Sequence, residues 1–432
     1  MPQVVVESLD QEGRGVAHLD GKAIFIDGAL PGETVEYSSY RRKPRYDLAS
    51  VTRVVAPSAQ RVAPRCRYFG LCGGCSLQHL DERAQVAAKQ RKLEDDLARI
   101  GNVTAGRMLP PIYGPAWQYR YRARFSVRFV PKKGGVLVGF HERRHSYVAD
   151  MLSCEVVPAR VSRWLPALRE LVGGLSIRAR IPQIELALGD DRDALVLRVL
   201  DGPDAADREK LCAFAQSQRV TLYLQPRGPD SVHALWPEHA TEPEYRLPEF
   251  DLALAFGPTE FTQVNPAVNR VLVRCALALL EPRSGERVAD MFCGIGNFSL
   301  AIARRGATAT GFEGSRALVS RAGHNAERNG LAARARFVVA DLFSADPESA
   351  HAYQGFDRML IDPPRDGAVE LVKSLEPPLP TRVVYVSCNP ATLARDAAVL
   401  VHTKGYRLDA AGVVNMFPHT AHVESIAAFE RQ

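Results

Sequence analysis

The stretch Val288-Ala-Asp-Met-Phe-Cys-Gly-Ile-Gly-Asn-Phe-Ser constrains this chain more than any other. An apolar run passes straight into a glycine turn and then into a helix-forming segment, the opening of a parallel α/β unit. The same rhythm continues to the C-terminus. RVADMF is followed by a helix over 297–305, ATATGFE, a helix over 315–329, ARFVVAD, FDRMLIDPP, another helix and RVVYVSC. This alternation from about residue 261 predicts a doubly wound α/β sheet.

The loop itself suggests a ligand. Gly294 and Gly296 allow a sharp turn and close backbone approach, and the following helix start offers unpaired N–H groups. A dinucleotide fingerprint would read G-x-G-x-x-G, but Ser299 stands where the third glycine is due. Strand 307–312 ends at Glu313, 17 residues after Gly296, where an acid can accept both hydroxyls of a ribose. Asp341 ends a third strand, where it can reach an adenine edge. The glycine loop alone is a weak signal; together with two strand-end acids it resembles the Rossmann-like class I S-adenosylmethionine methyltransferases. That resemblance implies that Phe292, Gly294 and Asn297 line the cofactor and that Glu313 holds its ribose. Cys293 is read as a packing residue.

Two further strand ends carry unusual side chains. Met359-Leu-Ile-Asp-Pro-Pro-Arg sets Asp362 at the mouth of the sheet, where two prolines oppose coiling. Tyr385-Val-Ser-Cys-Asn-Pro sets Cys388 at the next mouth, and His422-Val-Glu-Ser brings Glu424. Taken singly, Cys388 would read as a buried strand cysteine. The set matches one chemistry. A thiolate adding to C6 of uracil makes C5 nucleophilic, and a base must later remove the C5 proton. Arg365 or Asn389 could supply donors to the uracil carbonyls.

Phe261-Thr-Gln-Val-Asn, the glycine loop, Ile-Asp-Pro-Pro-Arg, Val-Ser-Cys-Asn-Pro and His-Val-Glu-Ser, in that order, resemble the bacterial RNA uracil-C5 methyltransferases. The resemblance covers the last 170 or so residues. It implies Cys388 as nucleophile, Glu424 as proton acceptor and Gln263 as a contact to cofactor and substrate. Asp362 would face the cofactor or the uracil edge. Cytosine enzymes commonly use a second cysteine, and none lies near Asp362. A catalytically idle RNA-binding module would not need this set.

Residues 1–56 read as short β-branched strands broken by glycine turns, which a small closed barrel would satisfy. Gly-Arg-Gly-Val-Ala and Ala-Leu-Pro-Gly-Glu resemble the OB-like TRAM domain of RNA-modifying enzymes. Arg41, Arg42, Lys43 and Arg45 form a basic loop. Between Trp117 and Val148 there are eight Lys or Arg and one acid, Glu142. In strand 119–129 the period of two places Arg120, Arg122, Arg124 and Arg128 on one face and an apolar stripe on the other. We expect that face to contact phosphates, rather than to be a charged edge strand.

Cys66, Cys72 and Cys75, with glycines between, form a turn able to converge three thiolates, and Cys154 is a fourth candidate. Four thiolates suit zinc or an iron–sulfur cluster. The family resemblance favours the latter, because its ribosomal-RNA members carry a [4Fe-4S] cluster on this pattern. Barrel and cluster together resemble the branch acting on 23S ribosomal RNA, with the target uracil flipped from its stack. Cys212 and Cys275 are expected to be ordinary buried thiols.

The expected organisation is a barrel over 1–56, a central, mostly β, cluster-bearing unit over 57–260 and the α/β catalytic unit over 261–432. A helix over 82–101 could pack on either neighbour. No run reaches the roughly 18 apolar residues of a membrane span, and the N-terminal stretch has no basic and apolar leader pattern. A cytoplasmic monomer is expected.

Overall fold

The computed structural model describes residues 2–344 and 351–431. The N-terminal strands Gln3–Val5, Ser8–Leu9, Gly15–Leu19, Lys22–Asp27, Thr34–Arg42 and Tyr46–Ala56 share one sheet. Gln3–Val5 pairs with Thr34–Arg42, whereas Ser8–Leu9 pairs with Gly15–Leu19. One short stretch of chain therefore bonds both edges and closes a barrel, leaving no open edge. Val4, Val6, Ile24, Ile26, Val35 and Tyr37 fill it. Asp20 and Gly21 both take positive φ in the tight turn before Lys22, a backbone state that Asp and Gly tolerate.

A buried carboxylate ties the barrel to the following loop. Glu33 accepts from Leu30 N at 2.8 Å, Ser58 N at 3.2 Å and Arg61 Nε at 2.5 Å. Arg61 also donates to the Gly28 carbonyl. These bonds hold the Glu33 carboxyl below its ordinary range against the opposing effect of burial.

The central sheet runs in the order His233–Trp236, Thr221–Gln225, Asp193–Arg198, Gln183–Leu188, Arg122–Val130, Gly135–Gly139. Phe125, Leu186, Leu195 and Leu197 pack against the helices Ala159–Gly173 and Ala205–Gln218. On the opposite face, Ala187, Val196 and Tyr223 join a core that includes Phe256, Val288 and Leu360. The hairpin Glu244–Leu247 and Leu252–Ala255 shares that core, so the catalytic half draws on residues before 260.

The C-terminal sheet has eight strands, in the order Ala335–Val339, Thr308–Glu313, Arg287–Met291, Arg358–Ile361, Arg382–Ser387, Glu424–Arg431, Tyr406–Val414, Arg107–Met108. The first five are parallel; Glu424–Arg431 runs antiparallel to both its neighbours. The doubly wound expectation holds, with an antiparallel strand inserted near one edge. The helix Glu82–Arg99 settles on this half: Leu93 and Leu97 share a core with Val383, Tyr385, Leu393 and Phe429. Among the described residues no helix is long and apolar enough to cross a membrane.

Two expectations are corrected. The basic strand begins at Arg122, and although Ala123, Phe125 and Val127 are buried as the alternation requires, Arg122 does not face solvent. The 258–260 loop covers it: its guanidinium donates to the Pro258 and Glu260 carbonyls and pairs with Glu185. Cys212 and Cys275 are only partly buried, because each lies at the margin of its helix's apolar face.

Arg61→Met would leave Glu33 buried without its partner. We expect about 3 kcal/mol of destabilisation, read as a lower urea midpoint for the N-terminal barrel; an unchanged midpoint would show that the pair contributes nothing.

Candidate active site

Adjacent parallel strands of the C-terminal sheet deliver the site from one edge. After Arg287–Met291 the chain turns through Phe292, Gly294 and Gly296, all with positive φ. The Gly294 N–H donates to Glu313 Oε2 at 3.2 Å, and Ser315 N donates to Oε1 at 2.9 Å. Glu313 is thus oriented beside the glycine turn. Beneath it, Asp290 is fully buried and accepts from Ser299 Oγ at 2.5 Å, which explains a serine at that place. Burial pushes the Asp290 carboxyl up to about 7. A Cβ at Gly311 would sit 2.7 Å from Cys293 Sγ, so Cys293 is a packing residue against a strand that must be bare there.

The Asn297 side chain is committed to the protein. Its Oδ1 accepts from Tyr245 Oη and Asn269 Nδ2, and its Nδ2 donates to Asn269 Oδ1. It braces the loop. Gln263 lines a small cavity with Tyr121, Tyr245, Phe256 and Asn269, beside that brace. Asp341 lies two residues past its strand, exposed, and accepts from Phe343 N at 3.0 Å. Phe343 was not legible as a site residue; its ring lies 5.5 Å from that of Phe292, giving the mouth an apolar flank.

The reactive cluster follows at the next strand ends. Asp362 comes directly after Arg358–Ile361, Cys388 directly after Arg382–Ser387, and Glu424 opens Glu424–Arg431. Glu424 is buried, and burial together with Asp362 raises its carboxyl to about 8, with Lys89 pulling it down. Asp362 is raised to about 7 by desolvation and Asp290. Cys388 is raised to about 11 by burial, then by Glu424 and Asp362, while the Arg365 charge lowers it. Asn389 caps the next helix through Ala391 N and donates to the Arg365 carbonyl, fixing Arg365 over the thiol's side of the mouth.

Beside this cluster lies an open cavity of about 440 Å³. It is lined by Arg365, Phe417 and His422, by Arg120 and Phe140 of the central unit, and by Gln11 and Glu12 of the barrel. Arg41, Arg42, Lys43 and Arg45 are exposed, as are Arg124 and Arg128. Arg120 lies over the Phe140 ring and lines the cavity.

Cys66, Cys72, Cys75 and Cys154 all line one small cavity, together with Phe140 and Met151. Burial pushes the Cys75 thiol up to about 12 and Cys154 up to about 11. Yet among the described residues no three His, Cys, Asp or Glu side chains are placed to hold a metal ion.

Comparison with known proteins places this geometry. Residues 246–432 match the family described as tRNA (Uracil-5-)-methyltransferase, and residues 3–36 match the TRAM domain. The chain is 61% identical over 430 residues to the 23S rRNA (uracil(1939)-C(5))-methyltransferase RlmD of Nitrosospira multiformis, covering 99% of this chain and 98% of that one. It is 60% identical to the protein of the same name from Aromatoleum aromaticum over 100% of both chains. The chain belongs to the RNA uracil-C5 methyltransferase family. Among solved structures, the Pyrococcus abyssi tRNA (uracil-54, C5)-methyltransferase in complex with S-adenosyl-L-homocysteine superposes with a TM-score of 0.75. It is 25% identical and covers 99% of this chain and 100% of its own.

The electrostatics predict how the thiol reacts. At pH 8, Cys388 is almost wholly protonated, so iodoacetamide labelling of its peptide should be slow and rise towards pH 11. Glu424→Gln removes a facing negative charge and should shift that rise to lower pH; an unmoved profile would mean that the carboxylate does not face the sulfur.

Proposed function

We propose that this chain transfers a methyl group from S-adenosylmethionine to C5 of a uracil in 23S ribosomal RNA, the base at position 1939 named for its relatives. The observation that carries this reading is the placement of Cys388, Asp362 and Glu424 at neighbouring strand ends, next to the Gly294–Glu313 turn. The cofactor, when bound, supplies an electrophilic methyl. Glu313 would take the ribose hydroxyls, Asp341 the adenine edge, and the Phe292 and Phe343 rings the adenine face. Gln263 and Asp362 would meet the methionine end and the uracil.

In the proposed mechanism the Cys388 thiol gives its proton to solvent, a loss that the Arg365 charge favours, and the thiolate adds to C6 of the uracil, so that the electrons collect at C5 and the C4 carbonyl oxygen. C5 takes the methyl. Glu424 then removes the C5 proton, the C5–C6 double bond re-forms and the thiolate leaves. Burial suits Glu424 to this role: a carboxyl raised to about 8 is a stronger base than an ordinary one. The barrel, the central unit and the catalytic half all border the 440 Å³ cavity, which would take the flipped uracil and its neighbours. Arg41 and Arg42 at the end of their strand, Lys43 and Arg45 in the turn that follows, and Arg124 and Arg128 would track phosphates. One chain carries the complete set, so a monomer suffices.

The family resemblance points to a [4Fe-4S] cluster, rather than zinc, on Cys66, Cys72, Cys75 and Cys154. All four line one cavity with Phe140 and Met151, and four thiolates around one centre are the ligand set such a cluster takes. Bound there, the cluster would supply structural bracing. Stoichiometric zinc and no iron in anaerobically purified protein would overturn this assignment.

The decisive test incubates the protein with S-adenosylmethionine and 23S RNA containing 5-fluorouracil, whose C5 fluorine cannot leave as a proton. We expect a methylated complex that survives denaturation and maps to Cys388, and none with Cys388→Ala. A complex with transfer RNA alone would overturn the substrate; absence of any complex would overturn the mechanism.

A further inference from the structure

The N-terminal half places a lysine beside the proposed base. Lys89, on the helix Glu82–Arg99, is 2% exposed. Its Nζ donates to Asn415 Oδ1 at 2.7 Å and to the Phe417 carbonyl at 2.9 Å. Both partners are acceptors, which suits the N–H donors of a lysine side chain. A buried ammonium is costly: burial pushes Lys89 down to about 7, and the charge of Glu424 works against that fall.

We propose that Lys89 is a positioning residue for the proton-removal step: it fixes the 415–417 turn ahead of Glu424 and keeps that carboxyl ionised enough to take the C5 proton. The inference rests on the uracil-C5 reading above. Glu424 is faced by Asp362 from one strand end, by Cys388 from the next and by Lys89 from the helix. Asp290 acts on Asp362 from below. Arg365 faces Cys388 and His422, while the charge of Lys89 also bears on His419 and His422. Of the charged groups acting on Glu424, Asp362 opposes its ionisation and Lys89 favours it. Removing Lys89 takes away that favourable charge, so the titration of Glu424 should move upward and its base form at neutral pH become scarcer.

The test uses full-length enzyme, 23S RNA carrying tritium at uracil C5, and S-adenosylmethionine, from pH 6 to pH 10. Tritium release reports proton removal, and a denaturing gel reports the covalent adduct. Lys89→Gln keeps an N–H donor and loses the charge; Lys89→Arg keeps the charge. For Lys89→Gln we expect the rising limb of tritium release to move up by about one pH unit, with the methylated adduct accumulating at pH 7.5. Lys89→Arg should keep the wild-type limb, even if slower. A Lys89→Gln limb that coincides with wild type, with no adduct accumulating, overturns the proposal, as does an equal shift in both variants. A wild-type enzyme that releases no tritium overturns the uracil-C5 reading itself.

Discussion

Everything at this site depends on how the segment from Asn415 to Glu424 is pinned. Lys89 holds Asn415 and the Phe417 carbonyl. Tyr119 donates to the Pro418 carbonyl at 3.0 Å. The His419 carbonyl accepts from Ser76 N and Leu77 N, each at 2.9 Å, and Gln85 accepts from His419 N. Ser76 Oγ accepts from Ala421 N. The His419 ring stacks on Trp117 with 3.8 Å between centroids. A loop before a strand would ordinarily be loosely held; this one is satisfied almost atom by atom from the cysteine turn, the N-terminal helix and the central unit. Glu424 begins its strand at the end of that segment, so its position is inherited from parts of the chain hundreds of residues away.

The same crowding sets the charge state. Asp290, Asp362, Glu424 and Cys388 are acidic groups collected in a poorly solvated sheet mouth, and each is pushed towards its neutral form. Such a collection opposes folding, since desolvated like charges repel. It also makes the mouth receptive to a cation, as a sulfonium is. A cation bound there would favour the ionised forms of these groups, so the field strengthens as the ligand arrives.

What was legible in the sequence was local. The strand–turn–helix rhythm, the glycine turn, Glu313 and the strand-end Asp362 and Cys388 all follow from short-range pattern, and the structure places them at one edge of the sheet. Cys66, Cys72 and Cys75 were legible by spacing and Cys154 only as a candidate fourth, and all four line one cavity. The unread features depend on long-range packing. Lys89 looked like one more charge on a polar helix, because its partners lie 326 and 328 residues away. Arg122 followed the period of its strand, but no periodicity announces that the 258–260 loop will cover that end. Asn297 carried a ligand-facing expectation, and its amide is taken up by Tyr245 and Asn269.

The catalytic sheet ends on a strand made early. Arg107–Met108 pairs with Tyr406–Val414, and the helix Glu82–Arg99 covers the face beside it. On the ribosome, these first pieces emerge some 300 residues before their partners exist. Their apolar side chains, Leu93 and Leu97 among them, must wait uncovered while the central unit is synthesised. The strands Tyr406–Val414 and Glu424–Arg431, made later, then reach back to that helix and strand. Until these two strands exist, the helix Glu82–Arg99 lacks part of the face it rests on, and the carboxyl proposed as the base is not yet made.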